Sequence, residues 1–180
     1  MGRAEVRAGV VTTLENAVTA GTLPYVGSVF PARPVIVPED AYVQTMQGQA
    51  IQESANGSAC LIVVNILSDT RNRYANVGRA YVADWAKHRV ELELFFASTA
   101  GEGIAAQEDY DAIYDALEKI IRANPTMSAP SYVWSAGEYR YGVQHQQSTP
   151  YTSEDGLTVF INAVVRFEAW EDAIGLAGTV

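Results

Sequence analysis

One cysteine, two histidines and a shortage of positive charge remove most kinds of chemistry from this 180-residue chain. A single Cys60 cannot form an internal disulfide. Its place in the apolar run Ala59-Cys60-Leu61-Ile62-Val63-Val64 marks it as a buried small hydrophobe, with no sequence neighbour to lower its pKa. His88 lies between Lys87 and Arg89, and His145 within the polar run 144–147. Neither accompanies a Ser or Cys in a nucleophile signature, so both are expected at the surface or in loops. One Cys and two separated His make no zinc set, so no metal, cofactor or catalytic group is expected. Only 12 Lys+Arg stand against 21 Asp+Glu, and the net charge of -9 repels phosphate. That excludes a nucleic-acid surface built on counterion release, though not a passage whose wall must not hold DNA. No stretch approaches the roughly 20 apolar residues of a membrane helix, and no apolar signal core follows the first basic residues. Absence of membrane contact and a place in the cytoplasm are the expectations. The glycosylation match Asn56-Gly57-Ser58 is then idle.

What is present is 48% hydrophobic and 18% charged, the balance of one soluble globular domain over 1–180. Residues 3–19 place Val6, Val10, Leu14 and Val18 at helical spacing, with Gly21 just beyond as a C-cap. Four prolines between Leu23 and Pro38 forbid a helix there, and 25–30 can form a short strand before 33–37 continues extended. The stretch 39–58 is polar and rich in Gln, Asn, Ser and Gly, and is expected as a polar loop. Cys60–Leu67 is apolar at nearly every position, the mark of a strand covered on both faces. Asp69–Asn76 then reads as a polar connection or hairpin tip, and 77–88 fits either a helix or an extension of the next strand.

Between Arg89 and Ala97 the alternation is plain: Val90, Leu92, Leu94 and Phe96 point one way, Arg89, Glu91, Glu93 and Phe95 the other. Tyr110, Ile113, Leu117, Ile120 and Ile121 form a helical stripe that Asn124-Pro125 ends. Short strands are expected at 131–134 and 139–143, and a long one at 157–168 with Leu157, Val159, Ile161, Ala163, Val165 and Phe167 on one face. A flexible C-terminal tail follows over 169–180. The expected fold is therefore α+β, one mostly antiparallel or mixed β-sheet with two main helices packed on it. Phe160 and Val164 on the second face of the last strand, with Phe95, need a further cover. The two helices can supply it, or a second subunit can; together with Trp170 these residues are the candidate subunit interface.

Each remaining cluster has a plainer explanation than chemistry. Glu91 and Glu93 share a strand face, as acid/base work requires, but also as a solvated or lumen-facing wall requires. Gly101-Glu102-Gly103 precedes a helix without the third glycine of a phosphate cradle, and its acids repel anions. Ser153-Glu154-Asp155-Gly156 lacks calcium-loop spacing and reads as a turn. Tyr132, Trp134, Tyr139, Tyr141 and Tyr151 have few basic residues among them beyond Arg140, so core edge or subunit contact outweighs base stacking.

Taken in order, the N-terminal helix, the Val29-Phe30-Pro31-Ala32-Arg33-Pro34 stretch, the strands at Cys60–Leu67 and Val90–Phe96, the helix Tyr110–Ile121 and the strand closing on Phe167 resemble the tail terminator proteins of long-tailed bacteriophages. The likeness spans Arg3 to Glu168 and rests on pattern, since that family has no catalytic signature. It implies a non-enzymatic virion protein of the tail or neck. Copies form a ring, usually hexameric, that caps the tail tube and meets the head connector or stopper protein, with DNA passing through without specific binding. Glu91, Glu93 and Glu102 are then candidate lumen-facing acids. A head-to-tail neck or stopper protein and a tail tube protein are near alternatives. A small ligand-binding or enzymatic α/β domain is the alternative of another class.

Overall fold

The computed structural model of the chain describes residues 3–35, 37–53, 57–77, 81–99, 103–124, 127 and 143–176; for 68–86 and 170–176 the description is of the backbone alone. Helix α1 runs Arg3–Thr19 and buries Val6, Val10, Leu14 and Ala17, one residue per turn. Gly21 ends it with φ at 68°: its N–H bonds the Val18 carbonyl at 3.0 Å, and the Thr22 N–H bonds that of Ala17 at 3.0 Å. This pair of bonds is the Schellman cap, and only glycine enters it without strain.

Strand β1 (Val26–Phe30) follows and pairs in parallel with β2 (Ser58–Val77), which pairs antiparallel with β3 (Tyr81–Ser98). Helix α3 (Gly103–Ala123) crosses back before the short β4 (Gln144–Gln147) and β5 (Tyr151–Thr152). The long β6 (Val159–Leu176) closes the sheet beside β3, giving the order β1-β2-β3-β6-β4 with β5 also on β6. The fold is α+β with a mixed six-stranded sheet, as its patterning leads one to expect.

Among the described residues three helices pack on this sheet, not two. Residues 39–53 of the expected polar loop fold as helix α2 (Glu39–Glu53). Glu39 and Asp40 occupy its first turn, where the helix dipole favours acids, and the Pro38 carbonyl accepts the first bond from the Tyr42 N–H at 2.9 Å. Its apolar stripe is only Tyr42, Met46 and Ala50, one residue per turn amid glutamines, which is why composition hides it.

Pleating then divides the core in two. Cys60, Ile62, Val64, Val90, Leu92, Leu94, Phe96, Ile161, Val165 and Phe167 meet α1 and α3 on one face. Leu61, Val63, Phe95, Ala97 and Phe160 meet Tyr42, Met46 and Ala50 of α2 on the other. The double cover expected for 60–67 holds for Cys60–Val64, with different helices on the two sides, and has ended by Leu67, which is 45% exposed.

Of the stretch 77–88, Val77 and 81–88 resolve as strand, because β2 and β3 pair as far as Val77↔Tyr81, while 78–80 lie outside the described residues. Nor does a tail begin at 169. The backbone of 169–176 continues β6 up to the pair Tyr81↔Leu176, where the long β3 offers it main-chain partners despite Glu171, Asp172 and Gly175. The expected strand at 131–134 and residues 139–142 of the one expected at 139–143 lie outside the described residues, and Val143 just precedes β4.

Candidate functional site

Two regions gather the residues singled out by sequence: the sheet face beneath α2, and the part of the sheet running past the helices. Under α2, Arg33 is the organising residue. Its Nη2 donates to Glu93 Oε1 at 2.8 Å, its Nη1 to Glu39 Oε2 at 2.6 Å, and its guanidinium carbon lies 4.3 Å from the centre of the Tyr42 ring. Glu93 also accepts from Asn65 Nδ2 at 2.8 Å and from the Tyr42 hydroxyl at 2.9 Å. The carboxylates of Glu39, first, and Glu93 hold Arg33 more firmly protonated than usual. Burial, then the bond to Glu93, pushes the Tyr42 hydroxyl above its ordinary range. Glu91 is bound by Arg166 Nε at 2.6 Å.

These contacts alter the expected roles. Glu91 and Glu93 do share a face, but they are 8% and 7% exposed and ion-paired, so in the subunit they form no open acidic wall. Burial without such partners would be costly, which explains why both are met by arginine. Phe95 is covered edge-on by Tyr42, ring centres 5.6 Å apart, and Phe160 lies 5.5 Å from Tyr151. Both are therefore core residues beneath α2 and β5 rather than bare interface. Val164 is half-buried and lines an open groove of about 370 Å³, between Arg33, Glu39 and Val43 on one side and Gln146 and Ser148 on the other. The backbone of Trp170 pairs with Lys87 in the sheet, while its side chain, like Glu102 as a whole, lies outside the described residues. Tyr132, Trp134, Tyr139 and Tyr141 lie outside them too.

Of the two histidines expected at the surface or in loops, His88 is buried and His145 is half-buried. His88 is fully buried in β3, because the strand that begins at Tyr81 carries it into the sheet. His145 sits on β4 with its ring 4.1 Å from that of Tyr114, and its Nε2 is 2.7 Å from the Tyr110 hydroxyl. Desolvation lowers the His145 pKa from its ordinary 6.5, so the folded state prefers the neutral ring. The unfolded chain binds this proton more readily, and stability is lost as pH falls through 6.5 toward the lower folded value. The melting temperature is expected to drop over that window. His145→Phe, which keeps the stacking, should flatten that part of the profile; an unchanged profile would show that His145 is not seated between these tyrosines.

Cys60 is buried as expected, and burial raises its thiol pKa. Among the described residues no group of three or more His, Cys, Asp and Glu could hold a metal ion, and no helix is long and apolar enough to cross a membrane.

The second region is an arm. Described side chains reach Leu67 on β2, Lys87 on β3 and Ala169 on β6, and backbone pairing continues from there to Val77, Tyr81 and Leu176. At about 3.3 Å per residue the β2 extension is roughly 35 Å long. Strand length here far exceeds the usual five or six residues.

The fold and these two regions define an α+β domain with helices on both sheet faces and a three-stranded arm. No protein-family model and no curated protein matches the sequence. One solved structure, "Virion of native gene transfer agent (GTA) particle", is similar over 92% of this chain and 93% of that chain, at 14% identity and a TM-score of 0.41.

Proposed function

We propose that the chain is a structural protein of a phage-like virion, and within that class a tail terminator. Its copies form a ring that caps the tail tube, halts tube growth and meets the head connector, with DNA passing through the centre. The observation that carries this is the length of three neighbouring strands, 20, 18 and 18 residues, paired by backbone to their far ends. Strands of this length suit a subunit joined to copies of itself, which can build a wall from them. The order of elements along the chain and its net charge of -9 support the same assignment. Since Glu91 and Glu93 are committed to Arg166 and Arg33, the lumen charge falls in this proposal to Glu102 and to other acids of the surface.

Deleting the gene in a particle-producing strain tests the role. A terminator's loss gives tubes of uncontrolled length without heads. Tubes of normal length that fail to join heads would indicate a stopper, and absence of tubes a tube subunit. Normal infectious particles would remove the virion role altogether.

A further inference from the structure

We infer that the end of the sheet opposite the arm is a docking surface for a separate protein, one that presents apolar side chains within a rim of Lys and Arg. At this end Val26 of β1 lies opposite Cys60, and Ser58, Ser98 and Val159 of β2, β3 and β6 stand in one row. Helix α3 starts here at Gly103, and Tyr25 leads into β1. Among the described residues seven large apolar side chains are exposed, and four of them belong to this end: Tyr25, Tyr151, Leu157 and Ile104. Leu157, at 67%, and Ile104, at 77%, are the most exposed of the seven. Single exposed apolar side chains are ordinary on any surface, whereas a group of them at one end marks a site of contact.

One of these residues is seated with particular care. Tyr25 stands at φ 57°, in the left-handed region that a tyrosine enters only against steric resistance. Two contacts keep it there. The Cys60 N–H donates to its carbonyl at 2.8 Å, and its hydroxyl bonds the Asp109 carboxylate, which raises the hydroxyl's pKa above the ordinary value. Asp109 also accepts from Ser58 Oγ at 2.6 Å, and Ser58 Oγ lies 2.9 Å from Ser98 Oγ. This bridge from α3 to β2 and β3 fixes the seat of Tyr25 before a partner arrives, which lowers the ordering cost of binding.

Charge selects the occupant. The four segments that lead into and out of this end, 19–27, 50–60, 96–109 and 148–160, contain no Lys or Arg, although the chain has 12. Their described residues include Glu53, Glu108, Asp109, Glu154 and Asp155. Two copies meeting end to end would set acid against acid, whereas a basic rim around an apolar centre is attracted and steered to this surface. Tyr is also the kind of anchor that fills the centre of an interface between separate proteins. The inference stands apart from the terminator assignment, because it needs a neighbour of another kind and not a particular particle.

Photo-crosslinking of the full-length protein in the cells that make it tests the surface. A benzophenone amino acid replaces Leu157 or Ile104, and for comparison Lys119, which is exposed near the far end of α3. From the two end positions the expected product joins this chain to a different protein, through a peptide containing Lys or Arg, at a yield about tenfold above that from Lys119. Glu108→Lys/Glu154→Lys, a reversal at two exposed positions, should lower that yield about tenfold. Should this double variant melt early, added salt in freshly broken cells gives the second measurement, and the wild-type yield should fall as charge is screened. The proposal is overturned by a product with a second copy alone, by a contact peptide without basic residues, by equal yield from Lys119 or by no product at all. A yield that responds neither to charge reversal in a folded variant nor to salt overturns it as well. A partner found outside any virion removes the terminator role and leaves this surface standing. Tubes of uncontrolled length on gene deletion, with no product from this end, do the reverse.

Discussion

Replacing Tyr42 by alanine is expected to cost about 3–5 kcal/mol, as removal of a large buried aromatic does. The residue is 1% exposed and does three things at once. Its ring covers Phe95 edge-on, its hydroxyl bonds Glu93, and its face lies under Arg33. Truncation opens a cavity over Phe95 and leaves Glu93 one donor short, so the transfer and hydrogen-bond losses add. For a domain of this size the melting temperature should fall by roughly ten degrees. Tyr42→Phe keeps the ring and should cost only about 1 kcal/mol. Denaturant unfolding of the two variants separates the contributions. A Tyr42→Ala effect below about 0.5 kcal/mol, the value for a surface loop, would mean that α2 does not cover this face.

That prediction turns on the element that local pattern concealed. The strand Arg89–Ala97, the helix over Tyr110–Ile121 and the closing strand were legible because each repeats its apolar residues often enough to fix a period. Tyr110, Ile113, Leu117 and Ile121 are indeed the buried stripe of α3. In α2, by contrast, Tyr42, Met46 and Ala50 sit singly in a Gln-rich stretch, and composition outweighed spacing. The chain nevertheless held an independent clue in 60–66, apolar on both faces and therefore in need of covers on both sides.

The polar part of the site was only half visible for a different reason. Spacing fixes that Glu91 and Glu93 point the same way, but their partners lie far off in sequence: Arg33 is 60 residues before Glu93, and Arg166 is 75 after Glu91. No local period reports such a contact. The same holds for His145, whose seat is made by Tyr110 and Tyr114 of a helix. Arg33 itself carried a faint signal, standing between Pro31 and Pro34 in a chain poor in cations. Prolines there keep the segment out of a helix, and it bends after β1 at 31, 32 and 34.

Shortening the arm should separate assembly from folding. Thr70 and Lys87 are paired across β2 and β3, so 71–86 can be replaced by Asn-Gly, the pair that fits a two-residue hairpin turn. Ending β6 after Trp170, the partner of Lys87, trims the third strand to match. Every residue of both apolar clusters is retained, as are the Arg33 network and the Lys87–Glu168 bridge. The trimmed chain is therefore expected to unfold cooperatively within a few degrees of the full chain, since the stability of a domain resides in its packed core. Assembly should respond quite differently. If copies in the proposed ring meet through these long strands, about ten main-chain hydrogen bonds at about 0.5 kcal/mol net each total on the order of 5 kcal/mol, several thousandfold in association. Sedimentation should show a monomer at concentrations where the full chain is a ring. If the trimmed chain assembles as before, copies meet elsewhere, and the half-buried strip around Val164, beside the groove, becomes the surface to test. If instead it fails to fold, the arm is a structural part of the sheet, and its length no longer argues for a neighbour.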